Sequence, residues 1–299
     1  MKIFIQKYIQ WILLLTLVLI WGSSFILMKR TLAFYSNTEL GALRISFAGL
    51  VLLPFAFSRM KGLSKKEWFW LLIVGLIGNT IPAFLFAKAQ TGIDSSLAGI
   101  LNSTTPLFAL IVGLLIYNLK THWFNFIGII LGFIGAIMII ISKNDGHIDF
   151  NLQYSAYVVL ATVFYAFNLN IVKYNLKNVK PFSIAIISYS IVFFPVLVYL
   201  FSGTEFTNTI QQPGALIALI YPAILGVIGS AIAIVIFNYL VKISGVLFTA
   251  SVTYLIPIVA TIIGVFDGEV IRPIHTLWIL LILFGVFLVN KKPKKIYGE

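Results

Sequence analysis

Long apolar runs alternate with short polar linkers along the chain, and the runs have the length of a membrane crossing. About 20 mostly apolar residues in helical form span the hydrocarbon layer. Ten stretches meet that requirement, at about 9–29, 37–57, 68–88, 94–117, 122–141, 153–173, 181–201, 214–240, 246–266 and 274–290. The pattern predicts an all-α integral membrane protein with ten transmembrane helices, and the linkers leave no room for a soluble domain. One run behaves oddly. GILNSTTPLFALIVGLL carries Asn102, Ser103, Thr104, Thr105 and Pro106 in its middle. In water such a cluster ends a helix. In lipid, polar side chains persist where they face other helices or a watery cavity.

Composition points the same way. The 299 residues are 60% hydrophobic and 10% charged, against about a quarter charged in soluble domains. There is no cysteine, so no disulfide framework or thiolate metal site is available. The net charge of +12 raises the question of nucleic acid, but the basic residues fall between apolar runs and in the tail KKPKK. Fifteen of the 21 Lys and Arg lie on one set of alternate linkers and at the two termini, five on the other set, and Arg44 within a span. Basic linkers stay on the cytoplasmic side. Both termini are therefore expected in the cytoplasm, in the inner (plasma) membrane, with no nucleic-acid partner. The basic N-terminus and its long apolar run read as an uncleaved first helix rather than a signal peptide.

Self-similarity shapes the functional reading. VGLIGN at 74–79 matches LGVIGS at 225–230, a shift of 151 that also pairs Phe86 with Phe237, Pro106 with Pro257 and Gly113 with Gly264. A shift of 144 pairs WGSSFILMK at 21–29 with YAFNLNIVK at 165–173. The expected organisation is a first five-helix repeat over 1–143, a second over 150–292 and a basic tail over 293–299. Five is odd, so the second repeat enters the membrane inverted. Inverted repeats are typical of secondary transporters, whose halves enclose a site near the bilayer midplane.

The ten spans, WGSSF with Lys29, Arg44 in the second span, the Pro106 and Pro257 helices and GEVI from Gly268 resemble the EamA-type transporters of the drug/metabolite transporter superfamily. The resemblance covers nearly the whole chain. It implies a basket of helices around a central cavity and, in bacteria, export of amino acids or other small metabolites. The acidic residue the family often has after its fourth span is absent, with Asn118 standing opposite Glu269.

Helical spacing selects the residues expected to line that cavity. Asn102 and Thr105 share a face with Ala98 and Ala109, and Thr253 lies on the equivalent stripe of the ninth span. Asn79 shares a stripe with Gly75, Pro82 and Phe86, mirrored by Ser230 with Gly226, Ala233 and Phe237. The bland reading of these groups is packing, since Ser, Thr, Asn and small residues also join membrane helices. Asn168 and Asn170 flank one residue, so only one of them is expected to face inward. Trp21, Tyr165, Tyr189 and Tyr254 lie deep enough to line a pocket for a partly apolar substrate. Arg44, costly within a span, is either a counter-charge for a substrate carboxylate or a structural tie to helix-end carbonyls. Pro106 and Pro257 are expected as hinges, each leaving a carbonyl one turn earlier, at Asn102 and Thr253, without its donor.

No His, Asp, Glu or Cys falls in a span interior, so neither a metal site nor a cofactor nor an intramembrane enzyme is expected. Without a buried ionisable relay, the expectation is facilitated diffusion, or weak coupling through Asp267 or Glu269. The reading is a secondary transporter of small metabolites, amino acids foremost, working by alternating access. A channel-like pore is the competing reading. The residues name no oligomeric state.

Overall fold

The computed structural model describes residues 2–93, 95–143, 152–266 and 273–291. Every regular element among the described residues is helical. Besides a single turn at Phe206–Thr209, in chain order these are α1 (Lys2–Leu32), α2 (Asn37–Arg59), α3 (Lys65–Ala89), α4 (Ser95–Asn102), α5 (Thr105–Tyr117), α6 (Trp123–Lys143), α7 (Leu152–Tyr174), α8 (Pro181–Ser202), α9 (Ala215–Ser244), α10 (Val246–Ala250), α11 (Val252–Phe266) and α12 (Pro273–Asn290). Six are long and apolar enough to cross a membrane alone: α1, α2, α3, α7, α8 and α9. Shorter apolar helices supply the rest. α4 with α5 and α10 with α11 form interrupted crossings, and α6 and α12 complete the set.

Local chemistry explains the boundaries. Ser36 and Ser64 begin α2 and α3 through reciprocal capping boxes with Glu39 and Glu67, which satisfy donors the first turn leaves open. Pro181 opens α8, where its missing N–H costs nothing. Asn118 ends α5 in the left-handed conformation, φ 50°, a state its short polar side chain tolerates.

The outer surface is apolar. Leu115 and Ile217 are 79% and 80% exposed, and such side chains are at ease only against lipid. Inward, the packing is close. α6 and α12 meet backbone to backbone, since a Cβ on Gly128 would lie 2.6 Å from the Gly285 carbonyl oxygen, and one on Gly285 would lie 2.6 Å from the Gly132 amide nitrogen. Small residues permit this approach in membranes. Asn125 on α6 secures the pair by donating to the Leu288 and Val289 carbonyls at the end of α12. Gly285→Val is expected to destabilise the protein by about 1–3 kcal/mol, the usual cost of overpacking, read as a lower unfolding midpoint in detergent.

Candidate functional site

The two stretches matched by the shift of 151 share an uncommon conformation. Val74–Thr80 in α3 and Val227–Ile232 in α9 are both π-helical. A π turn widens the helix and disturbs its hydrogen-bond ladder, and such turns gather at functional sites. The displaced carbonyls find other donors. Gly75 accepts from the Thr80 hydroxyl at 2.9 Å, and Gly229 accepts from the Trp21 indole at 2.9 Å.

Around these turns the contacts come in pairs related by the shifts of 151 and 144. Asn79 Nδ2 donates to Ser188 Oγ at 3.1 Å, and Arg44 Nε donates to Ser230 Oγ at 2.7 Å. Ser230 is the mate of Asn79, and Ser188 stands 144 residues after Arg44. A Cβ on Gly75 would meet the Ser188 carbonyl oxygen at 2.6 Å; one on Gly226 would meet that of Arg44 at 2.8 Å. A Cβ on Gly78 would meet Asn168 Oδ1 at 2.5 Å, and one on Gly229 would meet Ser24 Oγ at 3.2 Å. Rings follow suit: Phe86 stacks on Tyr165 at 6.0 Å, and Phe237 packs against Trp21 at 5.2 Å. Four kinds of contact obey one relation.

These contacts surround a cavity of about 80 Å³. Trp21, Phe25, Phe86, Tyr165, Tyr189 and Phe237 give it an aromatic wall, and Ser24, Asn79, Asn102, Thr105, Asn168 and Thr253 give it polar groups. Among the described residues Arg44 brings the one cationic side chain to the lining, and none brings a carboxylate. The space admits a few waters and falls short of the roughly 300 Å³ at which small-molecule pockets begin. Binding anything larger requires the walls to part.

Of the ten substrate residues expected from the sequence, Trp21, Arg44, Asn79, Asn102, Thr105, Tyr165, Asn168 and Thr253 meet at this cavity. Ser230 stands behind it and holds Arg44. Tyr254 does not join them: it is fully buried, and its hydroxyl donates to the Ile129 carbonyl on α6 at 3.1 Å. Of the two neighbouring amides, Asn168 faces the cavity, while Asn170 donates to the Ala109 and Ala166 carbonyls and ties α7 to α5. Arg44 shows a serine partner rather than the helix-end carbonyls considered above.

The expectation of donor-free carbonyls at the two prolines needs correcting. The fourth crossing breaks at the Ser103–Thr104 turn, with Pro106 in the first turn of α5. The ninth breaks at Ser251, and Pro257 lies inside α11. Neither freed carbonyl is left for a substrate. Thr105 Oγ1 donates to Asn102 O at 2.7 Å, and Ser103 Oγ donates to Thr253 O at 3.1 Å. Hydroxyls of the same helix or of a packed neighbour are the natural donors where a proline removes the amide. Ser103→Ala is expected to cost about 1 kcal/mol by orphaning a buried carbonyl, measured as a lower midpoint of thermal unfolding.

Several participants escaped the sequence reading. Ser188 lies in an unremarkable apolar run, whereas its neighbour Tyr189, expected as a pocket residue, does reach the cavity wall. Glu39 sits at a helix end, as expected, yet is 1% exposed: Oε1 accepts from Thr209 and Oε2 from the Ser36 amide. Beside it, burial and then the Glu39 charge push the Tyr35 phenol's pKa up, keeping it a donor to the Ala215 carbonyl at 2.6 Å. Asp267 and Glu269, the suggested coupling residues, lie outside the described residues.

Known proteins share this sequence and shape. The inner membrane transporter YedA of Escherichia coli (strain K12), itself uncharacterized, is 25% identical over 287 residues, covering 93% of this chain and 89% of that one. A WAT1-related chloroplastic protein of Arabidopsis thaliana is 22% identical over 294 residues, 95% of this chain and 70% of its own. A solved crystal structure superposes with a TM-score of 0.71 at 16% identity, over 93% of this chain and 95% of that one, a likeness of fold. The EamA-like transporter family matches the sequence twice, over residues 9–141 and 153–291. This chain is a membrane protein of the EamA-like transporter family.

Proposed function

We propose that the protein exports small amphipathic metabolites, amino acids foremost, by alternating access, from the inner (plasma) membrane with both termini cytoplasmic. In this reading residues 1–143 and 150–292 are inverted five-helix repeats, and the cavity between them is the substrate site. One observation carries the substrate class: the lining offers a single cation and two unused acceptors. Arg44 has no carboxylate beside it in the cavity wall. Asn79 Oδ1 and Asn168 Oδ1 are buried with no partner. The orientation of Asn79 follows from its neighbour. Ser188 gives its proton to the Ala185 carbonyl at 3.2 Å, so it accepts from Asn79 Nδ2 and leaves Oδ1 without a partner. A carboxylate at the guanidinium and an ammonium at the amide oxygens answer both needs, since buried polar groups left unpaired cost about 1–3 kcal/mol each. The aromatic wall receives the apolar part.

Counterflow tests the reading. Proteoliposomes preloaded with a mixed amino-acid pool are expected to take up labelled neutral amino acids saturably, and Asn102→Ala to weaken the exchange. Large unitary currents without counterflow would favour the pore instead. Failure of every amino acid alongside saturable exchange of another metabolite would keep the carrier and discard the substrate class.

A further inference from the structure

A second cavity opens on the outside of the bundle, between α1, α11 and α12. It is a groove of about 550 Å³ with walls that include Leu15, Val18, Ile258, Leu283 and Phe287. α1 and α11 touch closely at Gly22, where a Cβ would lie 2.7 Å from Val259 Cβ. Near the other end of α1, Trp11 packs edge-on against Phe248 of α10 at 5.3 Å. Along α12 the lining runs from Ile279 to Lys291, about 18 Å at 1.5 Å per residue. One leaflet of a hydrocarbon core about 30 Å thick is about 15 Å deep. The groove is therefore one leaflet long.

Its two ends differ. The deep end is wholly apolar. The mouth holds Trp11 and the exposed cation Lys291. Lys291 rests 5.8 Å from the centre of the Phe124 ring, which fixes its charge at the rim, and Lys292, Lys294 and Lys295 follow it in the sequence. Indole and ammonium groups belong at the headgroup level, and basic pockets between membrane helices hold anionic headgroups.

We infer that this groove is a binding site for one anionic phospholipid, its acyl chain lying between α1, α11 and α12 and its phosphate at Lys291. Bound there, the lipid covers the apolar walls of the groove. The site is separate from the central cavity and independent of which metabolite is carried.

The test uses the full chain in phosphatidylcholine vesicles doped with phosphatidylglycerol bearing a photoactivatable acyl chain, with adducts mapped by peptide mass spectrometry. Adducts are expected to concentrate at Leu15 and Leu283. Leu283→Trp, which fills the groove, is expected to reduce them at Leu15 at least fivefold. Lys291→Glu, on an exposed side chain that folding does not require, is expected to reduce them at least threefold for the phosphatidylglycerol probe and to leave a phosphatidylcholine probe unchanged. Adducts spread evenly over the outer surface, at Leu216 and Ile217 as much as at Leu15, would overturn the site. Equal labelling by both probes in the native protein would overturn its preference for an anionic lipid.

Discussion

Replacing Arg44 with glutamine is expected to weaken transport of a carboxylate-bearing substrate about 30-fold or more, and to change that of its carboxamide analogue less than about threefold. Arg44 lies in the cavity wall without a carboxylate partner there, held by one hydrogen bond to Ser230. Its charge is thus free for a ligand. Truncating one partner of a desolvated, hydrogen-bonded charge pair costs about 2–5 kcal/mol, and 2 kcal/mol is already about 30-fold. Glutamine keeps length and polarity but gives up charge, so the loss should follow the charge of the substrate. Arg44→Lys should fall between, because an ammonium keeps the charge and loses the planar fork that reaches Ser230 and a carboxylate together. The measurement is the concentration for half-maximal exchange with each substrate. Equal losses for acid and amide would make Arg44 a structural strut.

Alanine at Gly75 and alanine at Gly226 are expected to destabilise the protein by similar amounts, about 1–3 kcal/mol each by overpacking, and to impair transport together with stability. Both added methyl groups would strike a backbone oxygen, that of Ser188 at 2.6 Å and that of Arg44 at 2.8 Å. A side-chain tip can swing aside, whereas a helix backbone moves only with its helix. Each clash would push α8 or α2 outward and stretch the hydrogen bond alongside, Asn79 to Ser188 or Arg44 to Ser230. Unfolding midpoints in detergent and exchange rates in liposomes provide the readouts. Alanine at Gly99, whose Cβ would meet nothing within 4 Å among the described residues, is the control and should leave both unchanged.

The sequence already held the lining of the cavity, because a polar side chain in an apolar run has few places to go. Helical spacing put Asn102 with Thr105, and the internal shift put Asn79 level with Ser230. What the residues could not disclose is who touches whom. A repeat shift pairs positions that are equivalent, and equivalent positions in two halves need not meet. Asn79 meets Ser188 rather than Ser230, and Trp21 meets Phe237 rather than Tyr165. Those cross-contacts arise only when one half packs on the other. Tyr254 misled for a related reason: burial depth along a helix says nothing about which neighbour fills that face, and here it is α6. The prolines misled through local chemistry. Threonine and serine hydroxyls nearby compete for any carbonyl a proline releases, and Thr105 and Ser103 take both. The π turns leave no signature in composition, yet both fall within or beside the repeated Gly-rich stretches, where a missing side chain lets the helix widen.

The central claim is that the cavity is the route through the protein, and cysteine accessibility tests it most directly. The native chain has no cysteine, so Asn102→Cys creates a single thiol in the cavity wall and Leu115→Cys a single thiol facing lipid. A charged, membrane-impermeant thiol reagent is applied from either side of oriented proteoliposomes. The account predicts that position 102 reacts from both sides, since the walls must part toward each in turn, while position 115 reacts from neither. Silence at position 102 from both sides, or reaction from one side only under every condition that sustains exchange, would contradict it.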